Sequence, residues 1–121
     1  MSIQTPFFSA SCVVQVIAGV PKFLGPVAQP DASNLGFRPF GATANDSQRI
    51  GPGVIRMRLL DPVATLSGEG SYNLANFTPK TVAAIGGVSA DGFDVTIESY
   101  DLAGVAKDIS FGLDVLRYPS H

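Results

Sequence analysis

The sequence predicts an all-β fold, and two observations lead to this prediction. The apolar segments are short, rich in Val, Ile and Phe, and repeatedly interrupted by Gly, Pro, Asn and Asp, which is typical of strands and turns. Apolar residues at helical spacing do not persist anywhere for the roughly ten residues that a helix requires. We therefore expect one compact antiparallel β-sandwich or barrel over residues 1–121, with a jelly roll among the arrangements that the pattern allows.

The composition indicates a folded chain whose surface carries few charges. The 121 residues are 45% hydrophobic and 15% charged, against about 25% charged in an average protein. A chain of this length buries roughly two thirds of its unfolded surface, which is enough for a core without metal or disulfide. We expect part of the weakly charged surface to be covered by other subunits.

The charges are divided unevenly along the chain. Residues 1–60 carry five basic and two acidic residues, a net charge of +3, whereas residues 61–121 carry three basic and eight acidic residues, a net charge of −5. Opposite halves are expected to dock within one subunit or between neighbours. The total of −2 gives no general attraction to nucleic acid.

The chain start and the apolar runs give no sign of a membrane. Residues 1–6 lack the basic and apolar regions of a secretory signal. No apolar run approaches the roughly 20 residues that cross a bilayer. We expect a protein made in a cytoplasm, without a membrane partner.

Two C-terminal segments show the clearest strand pattern. Residues 93–100 and 109–117 alternate between apolar and polar side chains, which places one face toward a core. Residues 101–108 between them contain a Gly able to take a positive φ. The sequence therefore predicts an antiparallel hairpin, with these inner residues: Phe93, Val95, Ile97, Ile109, Phe111, Leu113 and Val115.

Three further strands are predicted upstream. Residues 54–60 lie between Gly-Pro-Gly and Asp-Pro, and residues 12–17 are apolar on both faces. Residues 81–85 form a strand before a turn at Gly86-Gly87, and Asp91-Gly92 marks another turn. The main antiparallel strands are expected over residues 54–117, and the core face of the first of them carries Ile55, Met57 and Leu59.

Two segments are expected to be arms or loops. Residues 19–48 contain many Pro and Gly and no clean periodicity, and residues 1–11 suit an N-terminal arm. Apolar residues in these segments either pin them to the protein's own core or fill pockets on a neighbouring subunit. These anchor residues are Phe7, Phe8, Leu35, Phe37 and Phe40.

The residue types that carry most enzyme chemistry are sparse. Cys12 is the only cysteine, which excludes an internal disulfide, and its apolar run predicts a small buried hydrophobe. His121 is the only histidine and the last residue, which is a poor position for the histidine of a Ser-His-Asp catalytic triad. The sequence contains no phosphate-binding loop and no Cys/His metal spacing.

Carboxylates are the remaining candidates for chemistry. Asp101 and Asp108 lie at the two ends of one predicted loop, where they either bind Ca²⁺ or are solvated turn residues. A carboxylate pair for glycoside hydrolysis is disfavoured, because no Trp accompanies the acidic residues.

Residues 49–117 resemble small virion proteins of tailed bacteriophages. The resemblance consists of a Gly-x-Gly strand entry, an Asp-Pro strand exit and a closing pattern of turn and strand residues. The residues that carry it are Gly51, Gly53, Asp61, Pro62, Asp101, Gly104, Asp108, Phe111, Val115 and Arg117.

The resemblance implies a non-enzymatic, all-β structural protein of the virion surface without a cofactor. Proteins of this kind decorate or cement capsids or form fibres, often as trimers. We expect a homotrimer bound to the major capsid protein, anchored by Phe7, Phe8, Leu35, Phe37 and Phe40, with Arg56 and Arg58 facing acidic rims.

Three alternatives stay open. A receptor-binding tail fibre, spike or head fibre is the first, a carboxylate-based hydrolase the second, and a cellular carbohydrate-binding module the third. Copy number per particle distinguishes the fibre from the capsid decoration protein.

Overall fold

The computed structural model describes residues 7–25, 28, 34–61 and 70–117. Within these ranges the chain forms eight strands and no helix, as the sequence predicts. The strands are β1 (Phe7–Ile17), β2 (Val20–Phe23), β3 (Gln48–Gly51), β4 (Val54–Arg58), β5 (Gly70–Asn76), β6 (Thr81–Val88), β7 (Asp94–Asp101) and β8 (Phe111–Arg117).

The strands form two four-stranded antiparallel sheets that pack into a β-sandwich. Sheet 1 has the order β2-β1-β8-β5, and sheet 2 has the order β3-β4-β7-β6. The alternation of apolar and polar residues turns one face of each sheet toward the other. The expected all-β fold is therefore confirmed as a sandwich.

The core lies between the two sheets, and the predicted faces supply most of it. Each large apolar side chain buried there contributes about 1.5–3 kcal/mol relative to an exposed one. The predicted core face of β4 is confirmed, and so are the inner faces of β7 and β8 apart from Phe93, which is half-buried. The buried residues are Ala10, Cys12, Val14, Phe23, Phe37, Ile55, Met57, Leu59, Val95, Ile97, Ile109, Phe111, Leu113 and Val115.

The predicted hairpin between the last two strands is wrong. β7 pairs with β4 and β6 in sheet 2, whereas β8 pairs with β1 and β5 in sheet 1. The residues after β7 fold back on β7 itself, where the Lys107 amide donates to the Ser99 carbonyl, and the chain then crosses to the other sheet. Alternation specifies which face of a strand is buried, but not which strand lies beside it.

The expected N-terminal arm is wrong for residues 7–11, which begin β1. This strand pairs with β8 along most of its length, from Phe7 opposite Arg117 to Val14 opposite Phe111, with a bulge after Phe8. The first part of the expected arm, residues 1–6, lies outside the described residues.

The described part of the expected irregular segment 19–48 is tied to the sandwich. It includes β2 and the start of β3. Ser11 and Leu35 exchange two backbone hydrogen bonds of 2.8 Å, and Phe37 forms a bridge with Leu59. The segment therefore lies along its own domain where the structure describes it.

Two details of the strand prediction also differ. The predicted turn at Gly86-Gly87 is wrong, because β6 continues to Val88 and accommodates the glycines in a bulge. Strand β5 was not predicted, since its sequence is rich in Asn, Ser and Gly. The turn at Asp91-Gly92 is confirmed, and the Gly92 amide closes it onto the Ser89 carbonyl at 2.9 Å.

The burial pattern makes a direct prediction about stability. Leu113 is fully buried in β8, whereas Leu102 is 72% exposed. We expect Leu113→Ala to lower the free energy of unfolding by about 2–5 kcal/mol, because it leaves a cavity between the sheets. The same change at Leu102 should stay within about 0.5 kcal/mol. Urea denaturation followed by far-UV circular dichroism measures both, and equal losses would contradict the assigned core.

Candidate functional site

Four connections between strands meet at one end of the sandwich, which we call the turn end. They are the β1–β2 turn, the β3–β4 turn, the β5–β6 turn and the β7–β8 crossing. The strand register requires this arrangement, since Val14 and Asn76 both pair with Phe111, and Thr81 pairs with Asp101. The sequence separates these connections widely, and only the topology brings them together.

Most of the exposed large apolar side chains lie at the turn end. Of the eleven among the described residues, eight belong to strand ends or turns there, with exposed fractions from 37% to 72%. Monomeric proteins seldom gather such surface in one place unless it binds something. The eight residues are Ile17, Val20, Ile50, Phe77, Val82, Tyr100, Leu102 and Val105.

The carboxylate of Asp108 joins two of the four connections. It accepts hydrogen bonds from Arg49 Nε at 3.2 Å and Arg49 Nη2 at 2.9 Å, and a third from the Gly53 amide at 2.9 Å. Both charged side chains are about three quarters buried. Such bidentate, charge-assisted contacts are strong and geometrically specific. The β3–β4 turn is thus fixed to the segment that crosses from β7 to β8.

Ser99 secures the same junction from the inside. It is 3% exposed, and its hydroxyl donates to the Lys107 carbonyl at 2.7 Å. Its amide donates to the Gly53 carbonyl at 2.8 Å. Gly53 has a φ of +69°, and a Cβ there would lie 2.4 Å from the Ser99 carbonyl oxygen. Only glycine fits this position.

Asp101 rigidifies the turn that displays Leu102 and Val105. Its carboxylate accepts hydrogen bonds of 2.9 Å from the amides of Ala103 and Val105. Aspartate commonly stabilises turns in this way. Leu102 and Val105, which are 72% and 62% exposed, therefore stand on a preorganised turn.

The two aspartates considered for Ca²⁺ both have internal partners. Asp101 binds the amides of its own turn, and Asp108 binds Arg49 and Gly53. Among the described residues, no group of three or more His, Cys, Asp or Glu side chains is placed to hold a metal ion. Asp101 is therefore a turn carboxylate, as one of the two interpretations has it, whereas Asp108 is the partner of Arg49 and not a solvated turn residue.

The pKa of Asp108 reflects this environment. Partial burial alone would raise the pKa of the carboxyl group, but the hydrogen bonds from Arg49 and Gly53 and the charge of Arg49 outweigh it. The pKa therefore lies below its ordinary value of 3.8. Asp108 is accordingly ionised at neutral pH, as an ion-pair partner must be.

The predicted contact residues Arg56 and Arg58 are engaged within the subunit. Both approach Asp94, at 3.8 Å and 3.3 Å respectively. Arg56 Nη2 also donates to the Asp46 carbonyl at 3.0 Å, and the Arg58 guanidinium lies 4.7 Å from the centre of the Phe93 ring. These contacts and the Arg49–Asp108 pair join the basic and acidic halves inside one subunit.

The predicted apolar anchors have different surroundings. Phe37 is 2% exposed and belongs to the protein's own core, which is one of the two roles expected of it, whereas the other role, as an anchor on a neighbouring subunit, is wrong. Phe40 is half-buried, with its ring centre 5.0 Å from that of Phe23. Leu35 is 60% exposed and stays available for a partner.

Phe7 and Phe8 lie at the start of β1, where their backbones pair with β8. The structure therefore gives them a position in the sheet. Their side chains lie outside the described part of the chain.

Cys12 is a structural residue of the core. It is 2% exposed, and burial raises the pKa of its thiol to about 12. A thiolate, the form that acts as a nucleophile, is thus strongly disfavoured at neutral pH. The expectation of a small buried hydrophobe is confirmed.

Two shallow depressions on the described part of the chain have volumes of about 240 and 200 Å³. The first lies beside Arg58 and Phe93, and the second lies beside Gly112 and Phe77. Both are smaller than the roughly 300 Å³ at which small-molecule sites begin.

In the described residues no helix is long and apolar enough to span a membrane.

Comparison of the chain with protein-family models, curated proteins and solved structures gives no match. The functional argument therefore depends on the geometry of the turn end.

The sequence missed this surface because its residues are scattered. One local signal was present, since Leu102 and Val105 are apolar residues inside a turn rich in Asp and Gly. Such residues have no strand face to occupy and therefore project from the fold. The remaining six residues of the set gave no comparable signal.

Three glycine substitutions test the junction beneath the turn end. Gly53→Ala should cost about 2–4 kcal/mol, because it combines a positive φ with a backbone clash. Gly104 also has a positive φ, +85°, but an added Cβ there would meet no other atom, so Gly104→Ala should cost about 1 kcal/mol. Gly51 has neither a positive φ nor a neighbouring atom in the way of a Cβ, so Gly51→Ala should be nearly neutral. Thermal or urea unfolding gives the order, and a neutral Gly53→Ala would contradict the junction.

The Asp108 contact also predicts a pH dependence. The lowered pKa means that ionised Asp108 stabilises the fold above its unfolded pKa, near 3.8, and that this stabilisation is lost as the pH falls through the lower folded value. Asp108→Asn should cost about 1–2 kcal/mol at pH 7. We expect the gap between wild type and variant to shrink below pH 4. A gap that stays constant in urea titrations from pH 7 to pH 2.5 would contradict the ion pair.

Proposed function

We propose that the protein is a non-enzymatic structural subunit of a bacteriophage virion, a decoration protein that stabilises the junctions between major capsid proteins. The resemblance of residues 49–117 suggests the class, and the apolar turn end supports a role in assembly. The protein acts as a homotrimer on the capsid surface.

The gathering of eight exposed apolar side chains at one end carries this proposal. The charged groups beneath them, Arg49 and Asp108, neutralise each other. The exposed Lys80 and Lys107 stand in the same turns, so a partner meets an apolar surface with basic side chains beside it, which favours protein contact. A decoration protein strengthens a shell by repeating such modest interfaces many times.

Most of the anchor residues predicted from the sequence are engaged within the subunit, so they are poor candidates for the attachment site. Phe37 is buried, and Arg56 and Arg58 are held by Asp94. Leu35 is the one described member of that set whose side chain is mostly exposed. The turn end offers a larger apolar surface than this single residue.

One observation also favours the receptor-binding fibre as a second candidate. Connections gathered at one end of a rigid sandwich are a common way to build a recognition surface. Copy number in purified particles separates the two functions, since a decoration protein is present in hundreds of copies and a fibre in far fewer. The internal hydrogen bonds of Asp101 and Asp108 favour either candidate over the carboxylate-based hydrolase.

Co-sedimentation with capsids lacking the protein tests the attachment. We expect wild type to bind in repeated copies, and Leu102→Ser with Val105→Ser to weaken binding about tenfold or more, which corresponds to about 1.4 kcal/mol. Loss of apolar area at the contact is the reason.

The matched control is Leu35→Ser, which removes a similarly exposed leucine at a distance from the turn end. It should bind like wild type. If this control alone loses binding, attachment runs through the segment around Leu35. If wild type ignores capsids altogether, the decoration function is wrong.

A further inference from the structure

One lysine at the turn end has an uncommon backbone conformation. In three of the four connections a glycine takes a positive φ: Gly19 at 79°, Gly53 at 69° and Gly104 at 85°. In the β5–β6 turn the residue with a positive φ is Lys80, at 58°. A residue with a side chain reaches this region only at a cost in free energy, which glycine avoids. Ala18, at 52°, is the one other such residue in the described chain, and its side chain carries no functional group.

Side chains of the β5–β6 turn and its surroundings hold Lys80 in this conformation. Asn76 Nδ2 donates to the Thr81 carbonyl at 3.2 Å and to the Thr81 hydroxyl at 2.8 Å. The Thr81 hydroxyl donates to the Thr78 carbonyl at 2.6 Å, and the Thr78 hydroxyl accepts from the Ser110 amide at 2.8 Å. Strained residues persist where their surroundings determine the backbone, and they cluster at functional sites. None of these bonds uses the lysine side chain, so the turn itself gives no reason for a lysine here.

The ammonium groups of Lys80 and Lys107 are the charges of the turn end that stay available to a partner. Both lysines are exposed. Within the described ranges, no carboxylate lies within 4.0 Å of either ammonium. The other charged groups there are engaged, since Arg49 binds Asp108 and the Asp101 carboxylate accepts from amides of its own turn.

The two lysines lie on opposite sides of the end of β7, with apolar residues between them. On one side Lys80 precedes β6, in which Val82 pairs with Tyr100 of β7. On the other side Ala106 forms a bridge with Tyr100, and Lys107 follows it. Val82 and Tyr100 are 53% and 37% exposed. An apolar centre with a charged rim is typical of protein interfaces, and a complementary surface is apolar with carboxylates at its border.

We propose that the turn end recognises an apolar surface bordered by carboxylates on the major capsid protein, and that Lys80 determines the specificity of this contact. The inference rests on the proposed function and gives the chemistry of the partner. The Lys80 ammonium pairs with a carboxylate of the partner, which explains why a lysine occupies a position that suits glycine. Segments that bind anionic lipid carry about four to eight basic residues, so two lysines fit a protein partner better than a membrane.

Two variants of Lys80, measured for thermal stability and for co-sedimentation with capsids lacking the protein, test this inference. Lys80→Gly should raise the melting temperature by about 2–4 °C, because glycine adopts a positive φ without strain. The same variant should weaken capsid binding about three- to fivefold, because the ammonium is lost. Lys80→Ala should weaken binding equally but leave the melting temperature within about 1 °C, since it keeps a side chain at the positive φ. Added NaCl should weaken binding of wild type more than binding of either variant.

Lys22→Ala is the matched control, because Lys22 is an exposed lysine of β2 outside the four connections. It should bind capsids like wild type. Equal losses from this control and from Lys80→Ala would overturn the inference, since the effect would then be one of net charge alone.

The remaining outcomes separate the inference from the proposed function. If Lys80→Gly binds capsids as tightly as wild type, or melts at a lower temperature, the role of Lys80 is wrong while the attachment of the turn end stands. If wild type does not sediment with capsids, the proposed function and the inference are both wrong. Sedimentation with phosphatidylglycerol vesicles in place of capsids would then assign the lysines to a membrane surface.

Discussion

The carboxylate of Asp108 makes the contact on which the rest of the turn end depends. A chain that crosses between sheets must leave one ladder before it enters another, and the released backbone groups need partners. Ser99 supplies them at Lys107, since its hydroxyl donates to the Lys107 carbonyl and its own carbonyl accepts from the Lys107 amide. The Asp108 carboxylate then ties the crossing to Arg49 and the Gly53 amide. The apolar turn above this junction is therefore ordered before any partner arrives, which lowers the entropic cost of binding.

The sequence predicted the buried faces of the strands well and their neighbours poorly. Val95 and Leu113 are buried as alternation requires, yet their strands lie in different sheets. The glycine-containing turn after β7 exists, but it folds back on β7 and does not lead into a hairpin. The main partner of β8 is β1, about one hundred residues earlier in the chain. Local patterns carry no information about a pairing at that separation.

The uneven distribution of charge along the sequence is largely resolved within the subunit. The sequence predicted docking of a basic half with an acidic half, and left open whether one subunit or two would be involved. Arg49 and Arg58 bind carboxylates within the subunit, and Arg56 Nε lies 3.8 Å from the carboxylate of Asp94. Arg56 and Arg58, which the sequence suggests as contacts for a partner, therefore have contacts within their own subunit. The turn end was not predictable in the same way, because residues from Ile17 to Val105 join it only after the sandwich forms.

The rigidity of the turn end has a consequence for the proposed attachment. Asp108 fixes the crossing segment to the β3–β4 turn, and Asp101 fixes the turn that displays Leu102 and Val105. In the proposed trimer several such ends would meet one surface, and once one end is bound the others would meet that surface at a high effective concentration. This gain requires ends that do not rearrange when they bind. The internal hydrogen bonds of the turn end meet that requirement.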